Sequence, residues 1–190
     1  LFPLIPPEYP TLGEVLDLAL GTDRPLYLIK EMPGVEVKVV VEGEDGLWRI
    51  TGPAAEGQPE HVHDGQLAGA VALGGYDLSP DRPRPGEGLQ VSLYWQALRP
   101  LEERYHSFVH LVDEAGQRLV QSDHQPGGVY YPATLWRTGE RIRDDHFLTV
   151  PADAPSGTYR LLAGMYALSS DGQLQALGEP ISVGQLQVGR

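Results

Sequence analysis

From residue 68 to residue 190, apolar and polar positions alternate in short runs separated by Pro/Gly turns. Residues 88–98 (GLQVSLYWQAL) show the pattern best. Leu89, Val91, Leu93, Trp95 and Ala97 share one face, and Gln90, Ser92, Tyr94 and Gln96 share the other. A period of two marks a strand buried on one side. The same reading places strands at 68–77, 88–98, 104–113, 117–123, 141–150, 157–168, 173–177 and 181–188. Turn residues fill the gaps: Pro83 to Gly88, Glu114 to Gly116, Pro151 to Gly157, and Asp171-Gly172. Strands of this length at this spacing predict a mainly β fold, an antiparallel β-sandwich of the immunoglobulin or fibronectin kind.

The first third reads differently. Residues 1–10 (LFPLIPPEYP) form a proline-rich extended arm. Thr11 and Glu14 then make a capping box, with Leu12, Val15, Leu16 and Leu18 at helical spacing and Gly21 as the stop. Strands are expected at 25–30, 35–42 and 47–51, the last two joined by the hairpin signal Asp45-Gly46. Residues 52–67 (GPAAEGQPEHVHDGQL) lose apolar periodicity. The organisation expected is a small α/β appendage over 1–56, a linker over 57–67 and the sandwich over 68–190.

Composition narrows the partners. A hydrophobic fraction of 41% with 21% charged residues supports a packed core. Fourteen basic against 26 acidic residues give a net charge of −12. A chain so acidic, with no basic stripe, is repelled by nucleic acid and by anionic lipid. There is no cysteine, hence no disulfide framework and no thiolate zinc site. No apolar run approaches the about 18–20 residues that span a bilayer, so direct membrane insertion by this region is not expected. The chain opens on Leu1 rather than Met and lacks the basic-then-apolar pattern of a signal peptide, as a domain of a longer protein does.

Chemistry is harder to read. Between Asp123 and Glu140 the loop DHQPGGVYYPATLWRTGE presents Tyr130, Tyr131 and Trp136. Flat rings beside Asp123 and His124 suit stacking against sugars, whose C–H faces are apolar and whose hydroxyls need hydrogen bonds. The competing reading folds the loop back so that the rings plug one end of the sandwich. His61 and His63 flank one residue beside Asp64 and read as solvated linker histidines. His106 and His110 share a strand face with Phe108 between them, and His124 and His146 lie near Asp123, Asp144 and Asp145. His106, His110 and His146 are weak metal candidates; half-buried, hydrogen-bonded histidines are the plainer reading, and no cofactor is expected. In Asp144-Asp145 and Glu102-Glu103 the two members point to opposite faces of a strand, so neither pair is preset as an acid/base dyad. No G-x-S-x-G elbow and no phosphate-binding loop is present.

Three stretches are familiar as phrases: YDLSPDRPRPGEGLQVSLYWQAL at 76–98, FVHLVDEAGQRLVQSDHQP at 108–126, and PATLWRTGERIRDDHFLTVPADAPSGTYRLLAGMYAL at 132–168. They resemble the soluble C-terminal β-sandwich region of bacterial polytopic membrane glycosyltransferases of the dolichyl-phosphate-mannose type. DRPLYLIKEMPGVEVKVV at 23–40 resembles the short α/β segment that precedes it. The resemblance implies a non-catalytic extracytoplasmic accessory domain on the outer face of the cytoplasmic membrane, with no catalytic residue to carry over. Its expected partners are the membrane domain of its parent and a glycan or polymer acceptor. Two other readings stand beside it: an assembly module that packs on its parent or self-associates, and a metal-dependent hydrolase using His106, His110, His124 and nearby aspartates.

Overall fold

The structure is a computed structural model that describes residues 58–127, 132–169 and 171–189, and the backbone of three strands upstream of them. Those three, β1 (Tyr27–Leu28), β2 (Glu36–Val41) and β3 (Leu47–Gly52), pair antiparallel in the order β1-β3-β2. They fall where strands were expected. The proline arm and the helix starting at Thr11 lie outside the described residues.

The remaining strands form two antiparallel sheets packed as a sandwich. One sheet has four strands in the order β4 (His61–Leu67), β5 (Val71–Ser79), β6 (Gly88–Ala97), β9 (Arg141–Thr149). The other has five. β8 (Arg118–His124), β7 (His106–Val112) and β10 (Gly157–Leu168) lie side by side, and β11 (Leu174–Ala176) and β12 (Ile181–Val188) both pair with β10. Among the described residues no helix is long and apolar enough to cross a membrane.

The alternation read from the sequence builds the core. Leu89, Val91, Leu93, Trp95 and Ala97 are all buried between the sheets, with Val109, Leu111, Leu161, Ala163, Met165, Val183 and Leu186 facing them. Ser92 and Tyr94 point the other way, as expected, yet they too are buried. Tyr94 Oη donates to Asp77 (2.7 Å), Ser92 Oγ donates to Asp145 (2.5 Å), and Arg143 Nε donates to the same carboxylate (2.9 Å). A hydrogen-bonded polar layer thus roofs the outer side of β6.

One expectation is corrected. Residues 61–67, read as linker, form edge strand β4, whose backbone pairs with β5 from His61↔Tyr76 to Leu67↔Val71. An edge strand has one side in solvent, and here the register breaks between Val62 and Gly65, so no alternation survives to be read. Only Leu67 is fully buried, while Val62 is 83% exposed. His63 Nε2 lies 3.1 Å from the Ser182 carbonyl, which ties β4 to β12 across the open side of the sandwich.

Candidate functional site

Two clusters gather four of the six histidines, and they lie on opposite faces of the five-stranded sheet. The inner one forms where β8 and β9 meet at the lateral edge of the sandwich. The inward positions of β9 are Ile142, Asp144, His146 and Leu148, apolar at the ends and polar in the middle. Asp144 is 2% exposed and His146 fully buried. Facing them are Ser107 on β7 and Ser122 and His124 on β8. The pairings Ser107↔His124 and Val109↔Ser122 point all three inward.

Asp144 accepts from four side chains. Trp95 Nε1 donates to Oδ2 (3.1 Å), Ser107 Oγ to Oδ2 (2.5 Å), His146 Nε2 to Oδ2 (3.1 Å) and His124 Nε2 to Oδ1 (2.7 Å). His146 Nε2 is also 3.0 Å from Ser107 Oγ, and its Nδ1 lies 3.2 Å from Ser122 Oγ. The two imidazoles face each other with centroids 4.3 Å apart. Burial by itself pushes the Asp144 carboxyl up, but the hydrogen bonds and charge of His124 and His146 outweigh it and hold the group well below the usual carboxylate range. The bond to Asp144 raises the pKa of His124, with burial opposing.

Ser107, His146 and Asp144 do not make a nucleophilic triad. Such a triad needs the carboxylate on the ring nitrogen opposite the serine, to orient the base. Here Asp144 and Ser107 share the same nitrogen, and Ser107 is fully buried.

The outer cluster is built on the opposite parity of the same strands. His106, Phe108 and His110 occupy alternate positions of β7, next to Tyr166, Gly164 and Leu162 of β10 and Asp123 and Gln121 of β8. His106 stacks on Tyr166 (centroids 5.3 Å, planes 12° apart), and Phe108 on His110 (4.4 Å, 28°). Gln121 Nε2 donates to Asp123 (2.7 Å). Gly164 makes room for the row, because a Cβ there would lie 2.5 Å from the Phe108 ring. Burial lowers the pKa of both histidines, with the Arg118 charge adding to the effect at His110, so the rings are neutral at pH 7. A neutral imidazole offers one donor and one acceptor. Burial raises the pKa of Tyr166, which keeps it a phenol.

The residues selected from the sequence are thereby separated. Asp123 joins the outer cluster and His124 the inner one. His106 and His110 stand on the far face from His124 and His146, so these histidines cannot share an ion. Trp136, which follows a short 3-10 turn (Ala133–Leu135), is 3% exposed within the hydrophobic core and offers no open ring face for stacking. Tyr130 and Tyr131 lie outside the described residues. Sequence reading missed Tyr166, Ser107 and Ser122. The signal for the serines was a polar residue at a core-facing position of a strand.

An open cleft of about 660 Å³ also lies between the β7–β8 turn and the β9–β10 loop, walled by Asp113, Arg118, Pro155 and Thr158 among others. It takes in none of the residues selected from the sequence.

No protein-family model and no curated protein matches the chain. Among solved structures, a β-glucuronidase of glycoside hydrolase family 2 is similar at a TM-score of 0.35 and 8% identity, over 60% of this chain and 11% of that one. The chain thus spans about a tenth of that protein's length, and the likeness carries nothing about activity.

Proposed function

We propose that the chain is a non-catalytic accessory domain of a bacterial membrane glycosyltransferase-like protein, held on the outer face of the cytoplasmic membrane, and that it binds a glycan on the outer face of its five-stranded sheet. The observation that carries this reading is the row His106, Phe108 and His110 beside Tyr166, in which the two imidazoles and Tyr166 are half-exposed and Phe108 between them is buried. Alternate residues of a strand recur about every 6.6 Å, so the three β7 positions extend over roughly 13 Å. Flat rings suit the C–H faces of sugar units, while the neutral imidazoles, Asp123 and Gln121 supply donors and acceptors for hydroxyls.

The finer fold assignment, immunoglobulin or fibronectin-like, belongs to the same proposal. Two features favour it. Tyr159, near the start of β10, donates its hydroxyl to the Pro155 carbonyl four residues upstream (2.8 Å), as in the tyrosine corner of such domains. The chain also changes sheets at β6–β7, β8–β9 and β9–β10, which is Greek-key behaviour.

A glycan array of hexose oligosaccharides tests the function. The native chain is expected to bind, and His110→Ala with Tyr166→Ala to lose binding with little change in Tm. Absence of binding by the native chain, or undiminished binding by the double variant, overturns the reading. An assembly role is the second reading, favoured by the cross-strand pair Leu168 and Leu174, exposed by 51% and 62%. Concentration-dependent dimerisation lost in Leu168→Ser supports that role instead.

A further inference from the structure

We propose that His124, Asp144 and His146 bind one divalent transition-metal cation, zinc by preference, and that the ion clasps the two sheets together. The site is independent of the outer face and of glycan binding.

The donor atoms are already gathered. One ligand atom from each of the three residues lies within 4.8 Å of the other two. Both imidazoles turn Nε2 toward the same carboxylate, at 2.7 Å from Oδ1 and 3.1 Å from Oδ2. Zinc takes imidazole nitrogen and carboxylate oxygen at about 2.0–2.2 Å in a tetrahedron, which sets neighbouring ligands roughly 3.3 Å apart. Each imidazole–carboxylate spacing falls a few tenths of an ångström short of that, and the two imidazole nitrogens lie within 4.8 Å of each other, so an ion enters by small shifts of the three side chains. The Ser107 hydroxyl, 3.0 Å from His146 Nε2 and 2.5 Å from Asp144 Oδ2, is the oxygen at hand for a fourth ligand.

Proton counting points the same way. His146 Nε2, Ser107 Oγ and Asp144 Oδ2 form a closed triangle with edges of 2.5, 3.0 and 3.1 Å. Two protons at most lie on its atoms, one on the serine and one on the imidazole, so three contacts share two hydrogens. A cation satisfies all three donors by their lone pairs. Ser122 next to His146 Nδ1 is the kind of outer partner that fixes the ring of a ligating histidine. Two nitrogens and one carboxylate suit zinc over magnesium or calcium, which prefer all-oxygen shells.

Access and purpose follow from position. Asp144 and His146 are closed off, but the His124 side chain is 38% exposed and gives the ion a route from solvent. His124 belongs to the five-stranded sheet and the other two ligands to the four-stranded one, so the ion links the sheets at the β8/β9 edge. A site enclosed in this way is structural.

The test uses the full chain, purified without a histidine tag and stripped with chelator. Zinc titration by calorimetry is expected to give one ion per chain, with a Tm that rises as free zinc increases. Magnesium should leave Tm unchanged, and cobalt should produce the intense visible band of a four-coordinate centre. His124→Ala should abolish all three responses, whereas His61→Ala with His63→Ala should keep them. If His124→Ala does not fold, His124→Gln takes its place, and the cobalt spectrum of the native chain decides alone. No cobalt band in the native chain, a zinc response that persists in the His124 variant, or one that vanishes in the His61/His63 variant overturns the proposal.

Discussion

His106 and His110 stand on one face of the five-stranded sheet, and His124, from the neighbouring strand, turns to the other face to meet His146. The residue type is the same, yet the environments are opposite. Outside, partial burial keeps the rings neutral. Inside, the rings are committed to one buried carboxylate. Strand parity alone makes the difference, since successive residues point to opposite faces. A histidine on a strand therefore takes its chemistry from which neighbours share its face, and sequence proximity to a carboxylate says little. His124 follows Asp123 directly, but its partner is Asp144, twenty residues away.

The inner face carries the larger energies. Asp144→Ala removes the acceptor of Trp95, Ser107, His124 and His146 at once and leaves buried donors without a partner. Breaking a buried charged pair from one side costs about 3–5 kcal/mol. Urea unfolding should show a loss of that size. A loss under about 1 kcal/mol would mean that water replaces the carboxylate, and that the edge is wetter than its burial suggests.

On the outer face the most sensitive position is a residue with no side chain. Gly164→Ala places a methyl group 2.5 Å from the Phe108 ring, which must swing away and give up its stack on His110. Overpacking of this kind costs about 1–3 kcal/mol. It should also weaken glycan binding without touching a polar contact. Unchanged Tm and unchanged binding together would show that the row adapts and is not a fixed platform.

How far the sequence reaches can be judged from particular residues. β6 was legible because both of its faces follow the rule: apolar residues inside, polar residues outside. β4 was not, because an edge strand with a bulge buries too few side chains to leave a period. The inner cluster was half legible. Asp144 and His146 stand at the inward positions of a strand whose ends are Ile142 and Leu148, so the break in the apolar run was visible. Their partners Ser107 and Ser122 come from strands of the other sheet, and the pairing of sheets is a long-range fact that no local window holds. Trp136 shows the limit in another way. A ring in a Gly/Pro-rich loop reads as a plug before it reads as a platform, because large rings are seldom left exposed, but only the surrounding packing decides between them. Here it packs in the core.

The smallest effect separates the two faces by sign, in metal-free protein held in chelator. At His124 the folded pKa is raised, chiefly by the bond to Asp144, with Asp123 and Asp145 adding to it. Its stabilisation is complete below the unfolded value of 6.5 and fades as pH climbs through the raised folded value. At His106 and His110 the folded pKa is lowered, chiefly by burial, although Asp123 opposes. Their unfolded forms bind protons first, so stability falls as pH drops below 6.5. Asp144, held below its ordinary 3.8, adds a further loss only when pH falls beneath that value. The histidine contributions therefore oppose each other and place a stability maximum near the unperturbed histidine value. Thermal unfolding from pH 4 to pH 9 should show it. His124→Gln should flatten the alkaline side alone, and His106→Gln with His110→Gln the side between about pH 4 and 6.5. An alkaline limb that persists in His124→Gln would remove His124 as its source and, with it, the contrast between the two faces.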